Sequence, residues 1–150
     1  MTALSHPSKP AVIDASVALK WQLNDEEYMG QALALRDDFL VRGALLLFAP
    51  SLFIYEVTNG LASAVRRGRL ARVQGEEALR NFVIADIALR LPPLDRMYQI
   101  ALDYGLSVYD SSYVSLAEAL GAELWTADRQ LYEAVQQRLP FVHWVGDYPF

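Results

Sequence analysis

Cysteine is missing from all 150 residues. Its absence excludes a disulfide scaffold, a thiolate zinc site and a thiol nucleophile, and it suits a reducing, cytoplasmic setting. Long apolar runs are missing as well. The longest strongly apolar stretch, Ala44 to Ala49, is far too short to span a bilayer, so no membrane association is expected. Positive charge is in deficit: 13 basic residues against 18 acidic ones give a formal charge of −5. A protein that binds nucleic acid by bulk electrostatics alone is thereby excluded. No glycine-rich turn follows the first apolar run, which rules out dinucleotide binding. Lysine occurs only at positions 9 and 20, whereas a phosphoacceptor receiver domain needs one late in the chain. Repeats, linkers and low-complexity tracts are also lacking.

What is present is a core. With 53% hydrophobic residues, a chain of this length can bury enough surface to fold as one domain. Residues 1–10 contain two prolines, two serines and a lysine but no apolar centre. They are expected to form a flexible tail rather than a signal peptide, leaving residues 11–150 as the single domain.

Short apolar runs alternate with helical patterns along that domain. Strands are expected near 11–13, 44–49, 87–91, 123–126 and 141–145. Helices are expected from about 17, then over 25–42, 51–67, 74–84, 94–104, 110–120 and 129–137. Gly105 and Gly121 stand where left-handed stops belong. The fold class that follows is α/β, with a mainly parallel sheet of about five strands. In the helix over 25–42, Asp25, Glu26 and Glu27 would form an acidic first turn, and Leu33, Phe39 and Leu40 would point inward. Tyr28, Met29 and Leu35 exceed what one buried stripe requires, so that face is a candidate contact for a partner protein or a second subunit. The terminal Tyr148-Pro149-Phe150 is apolar enough to pack on the body or on a second copy.

The chemistry lies with four acids. Asp14 ends the first strand, Asp128 follows the fourth, and Asp110 sits where a helix should begin. Each could simply be a helix cap, since aspartate accepts well from first-turn N–H groups, and Ser16 competes with Asp14 for that role. Glu56 is harder to dismiss. It falls inside the apolar stripe Phe53, Val57, Leu61 and Ala64, where an ionised carboxylate is costly without a positive partner. That partner is an arginine in the structural reading and a metal ion in the functional one. Convergence of the other acids favours the metal. Hard oxygen ligands without nearby histidine or cysteine select Mg²⁺ or Mn²⁺. Such an ion suits hydrolysis of a phosphodiester. Arg66, Arg67, Arg69 and Arg72 cluster around Gly68: a solvated turn on one reading, a phosphate-holding patch on the other. His143 alternates with apolar residues and reads as an edge residue rather than a ligand. An Asp-x-Asp phosphatase is excluded, because Ser16 stands two residues after Asp14.

Four short motifs stand in order: Val-Ile-Asp14-Ala-Ser16, Pro50 to Glu56, Tyr-Asp110-Ser-Ser-Tyr-Val-Ser-Leu-Ala, and Thr126-Ala-Asp128-Arg-Gln-Leu. Together they resemble the PIN domain, and more closely the VapC-type toxins of toxin–antitoxin pairs, over about Val12 to Trp144. The resemblance implies a three-layer α/β/α fold and a pocket of Asp14, Glu56, Asp110 and Asp128. There these acids would bind Mg²⁺ or Mn²⁺ and cleave RNA, with Ser16 and Thr126 as polar neighbours. It implies Asp14, Glu56 and Asp110 as principal ligands or bases, with Asp128 completing the cluster or holding a second ion. Ser111 and Ser112 depart from the small apolar residues often found there and bear on the shape of the site. The resemblance further implies an RNA target (tRNA among the candidates), a small cognate antitoxin and a homodimer. A non-catalytic PIN module binding RNA or protein is the alternative from a different class.

Overall fold

The computed structural model describes residues 7–23 and 27–150. Its chain runs β1 (Lys9–Ile13), α1 (Ala15–Leu19), α2 (Met29–Leu40), β2 (Leu45–Pro50), α3 (Leu52–Arg66) and α4 (Arg72–Ala85). It continues with β3 (Ala88–Arg90), α5 (Leu94–Tyr104), α6 (Val108–Leu120), β4 (Glu123–Thr126), α7 (Arg129–Val135) and β5 (Val142–Trp144). A short 3₁₀ turn, Val145–Asp147, follows. The alternation expected from the sequence is thus present throughout the described residues.

All five strands are parallel, in the order β3-β2-β1-β4-β5. In β1, Ala11, Val12 and Ile13 are all buried, as expected of a parallel strand with both faces covered. α6 packs on β1, β2 and β4, with α5 outside it, while α1 packs on α3 and α3 on α4. Right-handed crossovers put these two groups on opposite faces of the sheet. The chain leaves β1 first toward β2 and β3, then returns to β1's other side as β4. The order therefore reverses between β1 and β4, and in open α/β sheets ligands gather at the carboxyl ends of the strands flanking such a reversal. Asp14 and Asp128 follow those two strands.

Several boundaries differ from expectation. β1 starts at Lys9, paired with Leu45, so the expected tail yields its last two residues to the sheet. α2 begins at Met29, because Tyr28 before it takes a left-handed backbone (φ 62°) that cannot continue a helix. Asp25 and Glu26 of the expected acidic turn lie outside the described residues, and Glu27 precedes the helix. On the inward side of α2, Ala32 and Leu35 are buried and Leu33 and Phe39 pack against the core as expected, whereas Leu40 is 51% exposed. Leu35 is fully buried, so the proposed partner face on α2 does not exist in that form. The C-terminal segment covers this region instead. Tyr148 packs edge-on against Trp125 at 4.8 Å and its hydroxyl donates to Asp38, while the Phe150 ring lies over Gly30.

Candidate active site

Asp14 caps α1 from the end of β1, its Oδ1 accepting from the backbone N–H of Ser16 at 3.1 Å and of Val17 at 3.3 Å. Capping does not exhaust it. The Ser16 hydroxyl also donates to Oδ1, and the buried Thr126 hydroxyl donates to Oδ2. These hydroxyls in turn accept from the next loop: Ser16 Oγ from Ala127 N–H at 3.0 Å, and Thr126 Oγ1 from Asp128 N–H at 2.9 Å. Five residues from two separated segments thus form one polar knot across the β1–β4 seam. Asp14 is only 5% exposed. Burial pushes its carboxyl from 3.8 up to about 6, against the pull of the Ser16 and Thr126 hydroxyls and with a further push from the Asp128 charge.

Asp128 caps α7, accepting from Leu131 N–H at 3.2 Å. Asp110 does not cap α6 as expected. Ser107 takes that role, its Oγ accepting from Asp110 N–H at 3.0 Å. Asp110 therefore lies within the first turn, its carboxylate released from capping. Burial and then the Asp128 charge raise its carboxyl above the usual range.

Among the described residues, the hydrogen-bond partner of Glu56 is a tyrosine rather than the arginine considered from sequence. The phenol of Tyr113, on α6 and 1% exposed, donates to Glu56 Oε1 at 2.5 Å. The surrounding stripe of Phe53, Val57, Leu61 and Ala64 is buried as expected. Burial is the main cause that raises the Glu56 carboxyl, opposed by the Tyr113 hydrogen bond and reinforced by the Asp110 and Asp128 charges. Burial and Glu56 together hold the Tyr113 phenol protonated far above its ordinary range. The sequence reading did not single out Tyr113 and missed this hydrogen bond.

Four acids from four segments thus act on one another electrostatically. Their hard oxygen donors, without cysteine or histidine among them, are of the kind that suits Mg²⁺ or Mn²⁺. They do not form a closed cage: among the described residues, no three acidic or histidine side chains stand ready to hold an ion together. Magnesium ions commonly keep several waters and use only one or two carboxylates, so an open arrangement is compatible with such an ion.

Other candidates resolve simply. Ser111 and Ser112 donate back to the carbonyls of Ser107 (2.8 Å) and Tyr109 (2.5 Å), so their hydroxyls serve the helix rather than the site. His143 stacks on Trp125 at 4.8 Å on the edge strand. The arginine cluster divides. Arg67 and Arg69 line a cleft with Ser16 and Ala127, whereas Arg66 lines a different depression beside Arg72 and Glu76.

The PIN domain profile matches residues 11–136. Ribonuclease VapC9 of Mycobacterium tuberculosis is 37% identical over 132 residues, covering 86% of this chain and 94% of that protein. This chain belongs to the PIN-domain family, among its VapC ribonucleases. A protein named exonuclease VapC9, from Pyrobaculum aerophilum, is 35% identical over 67% of the chain and 75% of its own length. The PIN fold is equally plain in three dimensions: the crystal structure of PAE2754 from Pyrobaculum aerophilum superposes with a TM-score of 0.66 at 28% identity, covering 92% of both chains. As in the sequence reading, the resemblance spans nearly the whole domain.

Proposed function

We propose that this PIN-domain protein is a Mg²⁺- or Mn²⁺-dependent endoribonuclease, the toxin of a toxin–antitoxin pair acting in the cytoplasm. The observation that supports the reading is the mutual influence of four acids from four segments: Asp14 and Asp128 follow the strands at the β1–β4 reversal, and burial and mutual repulsion raise the carboxyls of Asp14, Glu56 and Asp110. Carboxyls held this way favour an arriving cation, because it removes the repulsion that opposes their ionisation. Asp14, Glu56 and Asp110 are the principal ligands or bases, and Asp128 completes the set. A bound ion would supply an acidified water and neutralise charge on the phosphate. The protein's own part is orientation. Ser16 and Thr126 fix both oxygens of Asp14, and Tyr113 leaves one oxygen of Glu56 for other partners.

The reading includes a homodimer whose contact is α5. Leu94, Tyr98 and Leu102 form an exposed apolar stripe along α5, each more than half exposed. Spaced four apart, they lie on one helix face, and a second copy is the occupant that accounts for it. The antitoxin, a small protein that covers the acids, is the remaining partner.

Purified protein with Mn²⁺ should cut a circular RNA, which offers no end to an exonuclease. EDTA or the Asp110→Asn change should each stop the cutting, and so should the product of a short neighbouring reading frame. Cleavage that survives both chelation and Asp110→Asn overturns the metal-dependent reading. Trimming of linear RNA with circular RNA left intact overturns the endonuclease. Binding of RNA without any cleavage favours the non-catalytic module.

A further inference from the structure

On a chain of formal charge −5, bulk electrostatics contribute little to holding an RNA strand. Stacking of a nucleobase on an aromatic ring needs no charge, and it is the other main source of affinity for single-stranded nucleic acid. The tyrosines divide on this point. Tyr28, Tyr132 and Tyr148 pack on tryptophans, Arg138 lies over Tyr104, and Tyr113 meets Glu56. Tyr55, Tyr98 and Tyr109 instead stand 70%, 63% and 65% exposed. Their rings have no aromatic or cationic partner among the described residues.

Single exposed rings are common on protein surfaces, so position must separate these three. Tyr98 belongs to the stripe on α5. Tyr55 immediately precedes Glu56 on α3, and Tyr109 immediately precedes Asp110 on α6. Tyr109 also stands four residues before Tyr113, so the two share one face of α6. On that face Tyr113 reaches Glu56, which brings the turns that carry Tyr55 and Tyr109 to one opening. α6 runs back to the start of β4, so its first turn, with Tyr109, lies at the carboxyl edge of the sheet that Asp14 and Asp128 also occupy. The platform is firm: α6 is buried from Ser111 to Ala117, and a tyrosine with only two side-chain torsions loses little freedom on stacking.

We propose that Tyr109 and Tyr55 are stacking platforms for the bases that flank the phosphate to be cut, one base on each ring. The proposal rests on the nuclease reading for its substrate. It adds that the RNA is single-stranded at the site, because bases paired and stacked in a duplex cannot reach either ring. Every base has a π face, so the two rings bind with little sequence preference. Both bind substrate and take no part in the chemical step.

Binding of a fluorescent single-stranded oligoadenylate of about 12 nucleotides to the Asp110→Asn protein with Mn²⁺ tests it. Both rings are exposed, so the variants should melt with the parent. Tyr109→Ala and Tyr55→Ala should each weaken binding about tenfold. The slope of log K against log salt should not change, because no phosphate contact is lost. Tyr109→Trp and Tyr55→Trp should bind as well as the parent, and Tyr98→Ala should too. Annealing the probe to its complement should erase the difference between parent and alanine variants. Binding within twofold of the parent in either Tyr109→Ala or Tyr55→Ala overturns the proposal. So does full binding by Tyr109→Leu and Tyr55→Leu, which would mean apolar contact without stacking. A loss accompanied by a smaller mass in sedimentation overturns it as well, since the rings would then serve a subunit contact. The two readings fail separately. If wild-type protein cleaves with Mn²⁺ and both alanine variants cleave with the same KM, the platforms are wrong and the nuclease stands. If RNA binds through the two tyrosines but no condition yields cleavage, the nuclease is wrong and the platforms stand.

Discussion

Asp14 gives the sharpest test of the acidic site, and replacing it with asparagine isolates its charge. In the metal-free fold its carboxyl lies at about 6, against 3.8 in the unfolded chain, with burial as the main cause. The folded state therefore binds more protons than the unfolded state between those values, so stability falls as pH rises through that window. The penalty is absent below the unfolded pKa and complete above the folded one. At about 1.4 kcal/mol per pKa unit it reaches about 3 kcal/mol. Asparagine carries no such penalty and keeps the acceptor for Ser16 and Val17 N–H. It also puts an amide N–H₂ where Oδ2 stood, so the buried Thr126 hydroxyl loses the acceptor for its proton, a loss worth about 1 kcal/mol. Asp14→Asn should thus be the more stable protein by about 2 kcal/mol at neutral pH in EDTA, or about 4–8 °C in melting temperature for a domain of this size. By about pH 4 that advantage should be gone. Mn²⁺ at a hundredfold excess over its Kd should then add roughly 2.7 kcal/mol to the wild type and little to the variant. Melts of both proteins across the pH range decide it. A difference independent of pH, or a wild type that is the more stable at neutral pH without metal, refutes the reasoning.

Tyr113→Phe removes the hydroxyl that donates to Glu56 and that lowers its carboxyl. The acid limb of the pH–rate profile should move to higher pH, with less than about a tenfold loss on the alkaline side; an unmoved profile would mean Tyr113 only packs. Tyr98→Glu with Leu102→Glu, on the exposed stripe of α5, should turn a dimer into a monomer by sedimentation while leaving the melting temperature of the fold nearly unchanged. Equal masses for the two proteins would remove α5 as the contact.

The chain's letters determined the alternation of strands and helices and the order of the four acids. Leu94–Tyr104 and Glu123–Thr126 appear with the boundaries the sequence predicts, because Pro93, Gly105, Gly121 and the apolar periods are local signals. Ser107 carried a local signal too. Ser-Val-Tyr-Asp before an apolar run is a capping pattern, and it would have moved the start of α6 ahead of Asp110. Three other features had no local signal. A phenol at a helical core position reads the same whether or not it meets a carboxylate, and only the approach of α6 to α3 brings Tyr113 to Glu56. The parting of Arg66 from Arg67 and Arg69 depends on which way the chain turns at Gly68, and on α1 and α4 lying on opposite sides of α3's end. Leu35 looked surplus on α2 until β2 and the C-terminal segment were seen against that helix. Side-chain period and caps act over a few residues and are written in them. Partners across the sheet reversal are set by the path of the whole backbone, and no window of the sequence contains that path.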